Sequence, residues 1–231
     1  QADALAARFR TQARDRAMLL RIGAIDSAAA GLLPLLLQDL RAAHPGLEVR
    51  MVEDKTIRLL PRLLSGRLDL AFLRPPETRD PRLVFRHLFF ETAVVALHEG
   101  HALARGDAIT VEDLRGQPMI VPDRRARPHS HDLTVKLFAD AGFGARVAQV
   151  ADEKQTIVNL VAAGIGLAIV PRWAARLAVP GVVFRPLADA SQATRSRLPL
   201  SAAYLRSTRD SARDAALDVV ASRLAAYAAQ A

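Results

Sequence analysis

Ser27, Thr56 and Arg74 are the side chains whose types and surroundings first point to chemistry. Ser27 stands in Asp26-Ser27-Ala28-Ala29-Ala30-Gly31, a hydroxyl followed by small residues such as Ala28. Small side chains let a ligand approach the backbone N–H groups at a helix start, where the helix dipole favours an anion. Asp54-Lys55-Thr56 sets a second hydroxyl, beside a lysine, at another expected helix start. Arg74 follows an apolar run and carries a planar fork that can grip a carboxylate by both oxygens. If these groups converge, they make an anion site. The plainer reading stands beside it: Ser27 and Thr56 as ordinary helix caps, and Arg74 as a surface charge.

A second candidate stretch is Val121-Pro122-Asp123-Arg124-Arg125-Ala126-Arg127-Pro128-His129-Ser130. Its charge suits an acidic ligand, with Pro128, His129 and Ser130 next to the following helix and Ser130 as a possible cap. A solvated loop is the alternative. His129-Ser130-His131 is too small a cluster for a metal, which needs three or four converging ligands, and no cysteine is present to help. We therefore expect no metal and no cofactor. Neither a GxSxG elbow nor a GxxxxGK[ST] phosphate loop occurs. Asp152-Glu153 reads as a helix cap rather than an acid–base pair. An enzyme is not expected.

These residues depend on an α/β scaffold for their placement. Leu19–Ile25 reads as a strand, and Leu33, Leu36, Leu37 and Leu40 mark one face of a helix from about Gly31 to Ala43. Pro45-Gly46 stops that helix. Leu47–Val52 is a second strand, Thr56–Ser65 a helix carrying Ile57, Leu60 and Leu64 on one face, and Leu68–Leu73 a third strand. The grammar returns with a strand at Pro118–Val121, a helix over about Ser130–Ala141 and a strand at Ala145–Val150. A helix over Glu153–Ala163 and a strand at Gly166–Val170 complete it. LLSGRLDLAFL (63–73) and LVAAGIGLAIV (160–170) both read helix end, glycine, turn, apolar strand. Two βαβαβ units follow, each expected to form a mainly parallel sheet, with a cleft between the two lobes.

Gly164-Ile165-Gly166 resembles half of a dinucleotide fingerprint, but it follows a helix and precedes a strand, the reverse of what a phosphate cradle requires. The pair is expected to be a corner, with Gly164 in a left-handed helix cap.

Composition bounds the rest. The chain has 231 residues, is 51% hydrophobic and has a formal net charge of +8 from 32 Lys+Arg against 24 Asp+Glu. The arginines are scattered and not interleaved with aromatics, so solvated charge competes with nucleic-acid binding as their explanation. No apolar run reaches the roughly 20 residues of a membrane span, and no membrane partner is expected. The absence of cysteine agrees with a reducing, cytoplasmic setting. Residues 2–18 read as an Ala/Arg-rich helix. The start at Gln1, without methionine, raises the expectation that something upstream was removed.

The ordered set LRIGAIDSAAAGLLPLLLQDLRAAHPGLEV (20–49), LLSGRLDLAF (63–72), HLFFETAVVALHEGHALA (87–104), ITVEDLRGQPMIV (109–121), LFADAGF (137–143) and LVAAGIGLAIVP (160–171) resembles the effector-binding region of LysR-type transcriptional regulators. The likeness runs from residue 19 to about 225. It implies two Rossmann-like subdomains arranged as in type 2 periplasmic solute-binding proteins, with a small-molecule inducer in the cleft. It also implies a winged helix-turn-helix for promoter DNA that is missing here, residues 1–18 being the end of the linker helix. Residues 19–90 and 196–231 would form one subdomain and 91–195 the other, crossing near Phe90–Glu91 and returning near Arg195–Leu198. The last helix, with Leu217, Val220, Leu224 and Tyr227 on one stripe, would belong to the first. By the same resemblance, Ser27, Ala28, Lys55, Thr56, Arg74, Pro128, His129 and Ser130 would contact the effector, an acidic metabolite with aromatic acids among the candidates. A homodimer or homotetramer would pair residues near 32–42 with those near 131–141. An extracytoplasmic solute-binding protein and an enzyme on the same scaffold are the rival readings, separable by a secretory signal in the precursor and by ligand turnover.

Overall fold

A computed structural model describes residues 18–188 and 198–231. The expected linker-helix end falls almost wholly outside the described residues, as does most of the return near 195. In the first lobe, β1 (Met18–Ala24), β2 (Leu47–Glu53) and β3 (Leu70–Leu73) lie parallel, with β1 central. β10 (Leu198–Leu205) runs antiparallel between β3 and β4 (Leu83–Glu91), giving the order β2-β1-β3-β10-β4. Leu20, Ile22 and Phe72 are fully buried against Leu33, Leu36 and Leu40 of α2 (Leu32–Ala43).

The second lobe repeats this plan. β6 (Pro118–Pro122) pairs in parallel with β7 (Arg146–Ala151). On its other side β6 meets the segment leading into β8 (Ala168–Pro171), where Ile120 donates to the Leu167 carbonyl at 2.7 Å and Leu167 to the Pro118 carbonyl at 2.8 Å. β5 (Ala93–His98) runs antiparallel between β8 and β9 (Val182–Pro186). Each lobe thus has three parallel strands, then a crossing strand that reverses direction, so the sheets are mixed rather than mainly parallel.

Three local differences from the sequence reading have clear causes. A short helix α1 (Asp26–Ala30) precedes α2, and the chain bends between them at Gly31. A Cβ there would stand 1.9 Å from the Trp173 ring, so glycine is required by close approach. In α3 (Thr56–Leu64), Leu59 and Leu63 take the core positions. The helix is apolar on two faces, and Ile57 and Leu60 are left to face the cleft. β3 starts at Leu70 rather than Leu68 because Asp69 turns back onto Arg21, accepting from its backbone N–H at 2.8 Å and its Nε at 3.0 Å.

The glycine corner is as expected. Gly164, at φ 72°, follows α5 (Lys154–Ala162), and Ile165 N–H reaches back to the Leu160 carbonyl at 3.1 Å, closing the helix in a left-handed cap. Gly166 serves close approach, since a Cβ there would be 2.5 Å from the Pro118 carbonyl oxygen of β6. The last helix, α6 (Ser211–Ala228), buries Leu217, Val220 and Tyr227 in the first lobe's core.

Candidate effector site

Both sheets point the carboxyl ends of their parallel strands at the cleft, the position where open α/β sheets bind ligands. β1 delivers Asp26, β2 delivers Lys55 and Thr56, and β3 delivers Arg74. From the other lobe, β6 leads through Arg125, Ala126 and Arg127 into α4 (Pro128–Asp140), and β7 leads to Asp152, Glu153 and Lys154. Lys55, Thr56, Arg74, Pro128, His129 and Ser130 line one cavity of about 240 Å³. Arg125, Arg127 and Lys154 add positive charge to its wall, and Ile25, Ile57, Leu60 and Pro76 add apolar surface.

The remaining two expected residues sit differently. Ser27 is 1% exposed and lines a neighbouring cavity of about 360 Å³ on the other side of Asp26. Its Oγ accepts from Arg74 Nη2 at 3.3 Å, so it touches the first cavity only through that guanidinium. Ala28 is fully buried in the first lobe's core and lines neither cavity, because α1 turns its small face inward to let the sheet pack.

Neither Ser27 nor Thr56 caps a helix: the cap positions of α1 and α3 are Ile25 and Lys55, without a side-chain cap, and the nearby carboxylates reach only the next backbone N–H along the chain. Asp26 Oδ1 accepts from the Ser27 N–H at 2.8 Å, and Asp54 Oδ1 from the Lys55 N–H at 2.9 Å. Thr56 Oγ1 instead donates to the Arg74 carbonyl at 3.3 Å. Ser130 lies inside α4 rather than at its cap, and its carbonyl accepts from Thr134 Oγ1 at 3.1 Å. Helix α1 is a turn and a half long, too short to act as a strong dipole, so side-chain cations dominate the field in the cavity.

Those cations are tied into a network that joins the lobes. Arg74 Nη2 meets Glu91 Oε2 at 2.8 Å, with Glu91 fully buried, and Nη1 donates to the Pro199 carbonyl at 3.2 Å. Asp26 spans the cleft to Lys154 Nζ, 2.8 Å from each carboxylate oxygen, and to Arg127 Nη1 at 2.9 Å. Lys55 crosses in the opposite sense to Asp152 and to Glu153 Oε1, the latter at 2.8 Å. Burial opposes the charge on Asp26, but Lys154 and Arg127 outweigh it and lower its pKa to about 2. Burial pushes the Lys154 ammonium below its ordinary value, and Asp26 only partly restores it. Burial likewise opposes Lys55, yet hydrogen bonds to Asp152 and Glu153 prevail and raise it. His129 is pushed down, first by burial and then by the nearby Arg74 charge, both of which disfavour its charged form.

Sequence reasoning missed Asp26, Arg127 and Lys154 as interlobe partners, and it misread Asp152-Glu153 as a cap. Glu153 occupies the position before α5 without capping it, because its carboxylate faces Lys55 and Arg127. A signal was present. Glu53-Asp54-Lys55-Thr56-Ile57 and Asp152-Glu153-Lys154-Gln155-Thr156-Ile157 share an acidic-acidic-lysine start and a Thr-Ile end, differing by the inserted Gln155, and each follows a second strand. The internal repeat already noted places the two turns face to face.

The LysR substrate binding domain matches residues 13–226. The chain belongs to the LysR family of transcriptional regulators. It is 54% identical over 227 residues to the HTH-type transcriptional regulator TtuA of Agrobacterium vitis, covering 98% of this chain and 75% of that protein. It is 33% identical to AlsR of Bacillus subtilis, covering 76% of this chain and 58% of AlsR. Among solved structures, the LysR-family regulator CbnR superposes with a TM-score of 0.82 at 24% identity, over 94% of this chain and 75% of CbnR. The BenM effector-binding domain with benzoate gives 0.77, also at 24%, over 90% of this chain and 92% of that domain. These likenesses establish the LysR effector-binding fold, two lobes about a cleft, and the protein's part as a ligand-sensing regulatory domain. Its relatives are regulators, which disfavours the transporter-linked reading. No described helix is long and apolar enough to cross a membrane.

Proposed function

We propose that this LysR domain senses a small carboxylic acid, aliphatic or aromatic, in the cavity between β1, β2, β3 and the start of α4. One observation carries the reading: five cations, Lys55, Arg74, Arg125, Arg127 and Lys154, line a 240 Å³ space in which Asp26 is the one lining carboxylate, their partners Glu91, Asp152 and Glu153 lying outside the lining. At about 30 Å³ per water, such a space holds about eight water-sized units, the scale of a benzoate or a short acid. Ile25, Ile57, Leu60 and Pro76 would hold its carbon body while Thr56, His129 and Ser130 supply polar contacts. The domain recognises without turning over its ligand. Its ligand-dependent lobe angle is relayed within a cytoplasmic homodimer or homotetramer to an N-terminal DNA-binding domain on promoter DNA. In that assembly residues 19–90 with 196–231 and residues 91–195 act as the two moving bodies, α2 of one copy lying against α4 of the next.

Thermal unfolding with a panel of benzoates, catechol-derived diacids and aliphatic acids tests this. Binding to the native state alone stabilises by RT ln(1 + [L]/Kd), about 2.7 kcal/mol at a hundredfold excess over Kd. We expect at least one acid to raise Tm by several degrees. Stabilisation by neutral or cationic compounds alone would refute the proposal.

A further inference from the structure

Asp26 already does inside the protein what a bound acid would do. It holds the Lys154 ammonium with both oxygens at 2.8 Å and the Arg127 guanidinium at 2.9 Å, at the wall of the cationic cavity. The side chains of Lys154 and Arg127 are 9% and 10% exposed, so neither has bulk water as an alternative partner. A charge that buried must stay paired, because removing one partner leaves the other uncompensated. An incoming carboxylate therefore meets cations that are already satisfied and gains only by exchange.

We propose that Asp26 is an internal competitor of the effector, occupying the anion seat formed by Lys154 and Arg127 until a ligand carboxylate replaces it. This rests on the acid reading of the cavity given above. Asp26 belongs to the first lobe and the two cations to the second, so the exchange replaces an interlobe contact with a ligand contact. Binding and lobe position are thereby coupled at a single carboxylate. Asp26 also lines the neighbouring 360 Å³ cavity, which gives a displaced side chain room to turn. Glu53 and Glu153 line that cavity too and repel the displaced charge, which sets how strongly Asp26 competes. The effector is thus selected for a carboxylate able to outcompete a tethered one, and Asp26 determines that threshold.

The test is calorimetric titration of benzoate and of succinate into the wild-type chain, Asp26→Asn and Lys154→Met. Asparagine keeps an oxygen that can accept from the Ser27 N–H, so that local contact within α1 is retained. We expect Asp26→Asn to bind at least one acid tenfold or more tighter than the wild type, or to bind where the wild type shows nothing. Lys154→Met should bind tenfold or more weaker, even though both variants sever the same bridge. That opposite sign separates competition from simple loosening of the lobes. Equal or weaker binding by Asp26→Asn, or a gain in Lys154→Met, would overturn the inference while leaving the acid site standing. Silence from all three proteins toward both acids, together with a failed thermal panel, would remove the acid reading and this inference with it.

Discussion

The two lobes meet along two seams made of different material. At the hinge, Trp173 leaves the second lobe and sits 1% exposed in the first lobe's core, edge-on to Phe89 at 5.8 Å between ring centroids and against Gly31. Its backbone N–H donates to Glu91 Oε1 at 3.4 Å, and Glu91 in turn holds Arg74. At the cleft, the lobes touch through Asp26, Lys154, Arg127, Lys55, Asp152 and Glu153, whose exposure rises toward the mouth, with Glu153 at 57%. Apolar packing depends on shape at short range and accepts no substitute. Ion pairs accept any group of the right charge, and salt screens those near water. One seam is suited to be a pivot and the other to be a switch.

The sharpest way to break the pivot is Glu91→Ala. It leaves the Arg74 guanidinium buried without its carboxylate, and losing one member of a buried pair costs about 3–5 kcal/mol. Urea unfolding should show a lower midpoint by that measure, whereas replacing both residues with apolar side chains should recover most of the loss. Recovery would show that the hinge needs filled space more than charge. If Glu91→Ala were as stable as the wild type, the hinge seam would be no firmer than the cleft seam.

Gly31→Ala probes the same seam by overpacking, with a smaller effect. The added methyl would fall within the Trp173 indole, so the ring must shift. Overpacking of this kind costs about 1–3 kcal/mol. Trp173 is the chain's single tryptophan, so its fluorescence reports the displacement directly. A change in emission with an unchanged unfolding midpoint would mean the ring has a second comfortable position.

The same contrast explains what the sequence could and could not reveal. Repeats of strand, helix and glycine corner were legible because apolar periodicity and turn chemistry are local, as Leu33, Leu36 and Leu40 or Gly164 show. Lys55, Thr56, Arg74, Pro128, His129 and Ser130 could be placed near a common space because strand ends in such sheets converge. Ala28 could not be distinguished from a lining residue, since a small residue at a helix start serves packing and ligand approach equally well. Trp173 was invisible as a hinge, because its partners Gly31, Phe89 and Glu91 lie far away in the chain. β4, β5, β9 and β10 were not read as strands, as they pair with segments from distant parts of the sequence. For Asp26, Arg127 and Lys154 the residue types were plain and their pairing was not. Which carboxylate meets which cation depends on how two separately folded lobes face each other.

The smallest effect is expected at the mouth of the switch. Asp152→Asn removes one of the two carboxylates that Lys55 reaches across the cleft, and Asp152 is 45% exposed. Pairs that meet water contribute up to about 1 kcal/mol, and Glu153 remains as an alternative partner for the same ammonium at 2.8 Å. The cost should therefore be a few tenths of a kcal/mol in dilute buffer and vanish at 1 M salt, where the Debye length falls to about 3 Å. Thermal unfolding of Asp152→Asn and wild type at 0.05 M and 1 M NaCl measures both numbers. The Gly31→Ala deficit, which is steric, should persist across the same range. If the Asp152→Asn deficit also persisted, the cleft seam would be held by fixed geometry like the hinge, and it would lack the exchangeability that a ligand-driven switch needs.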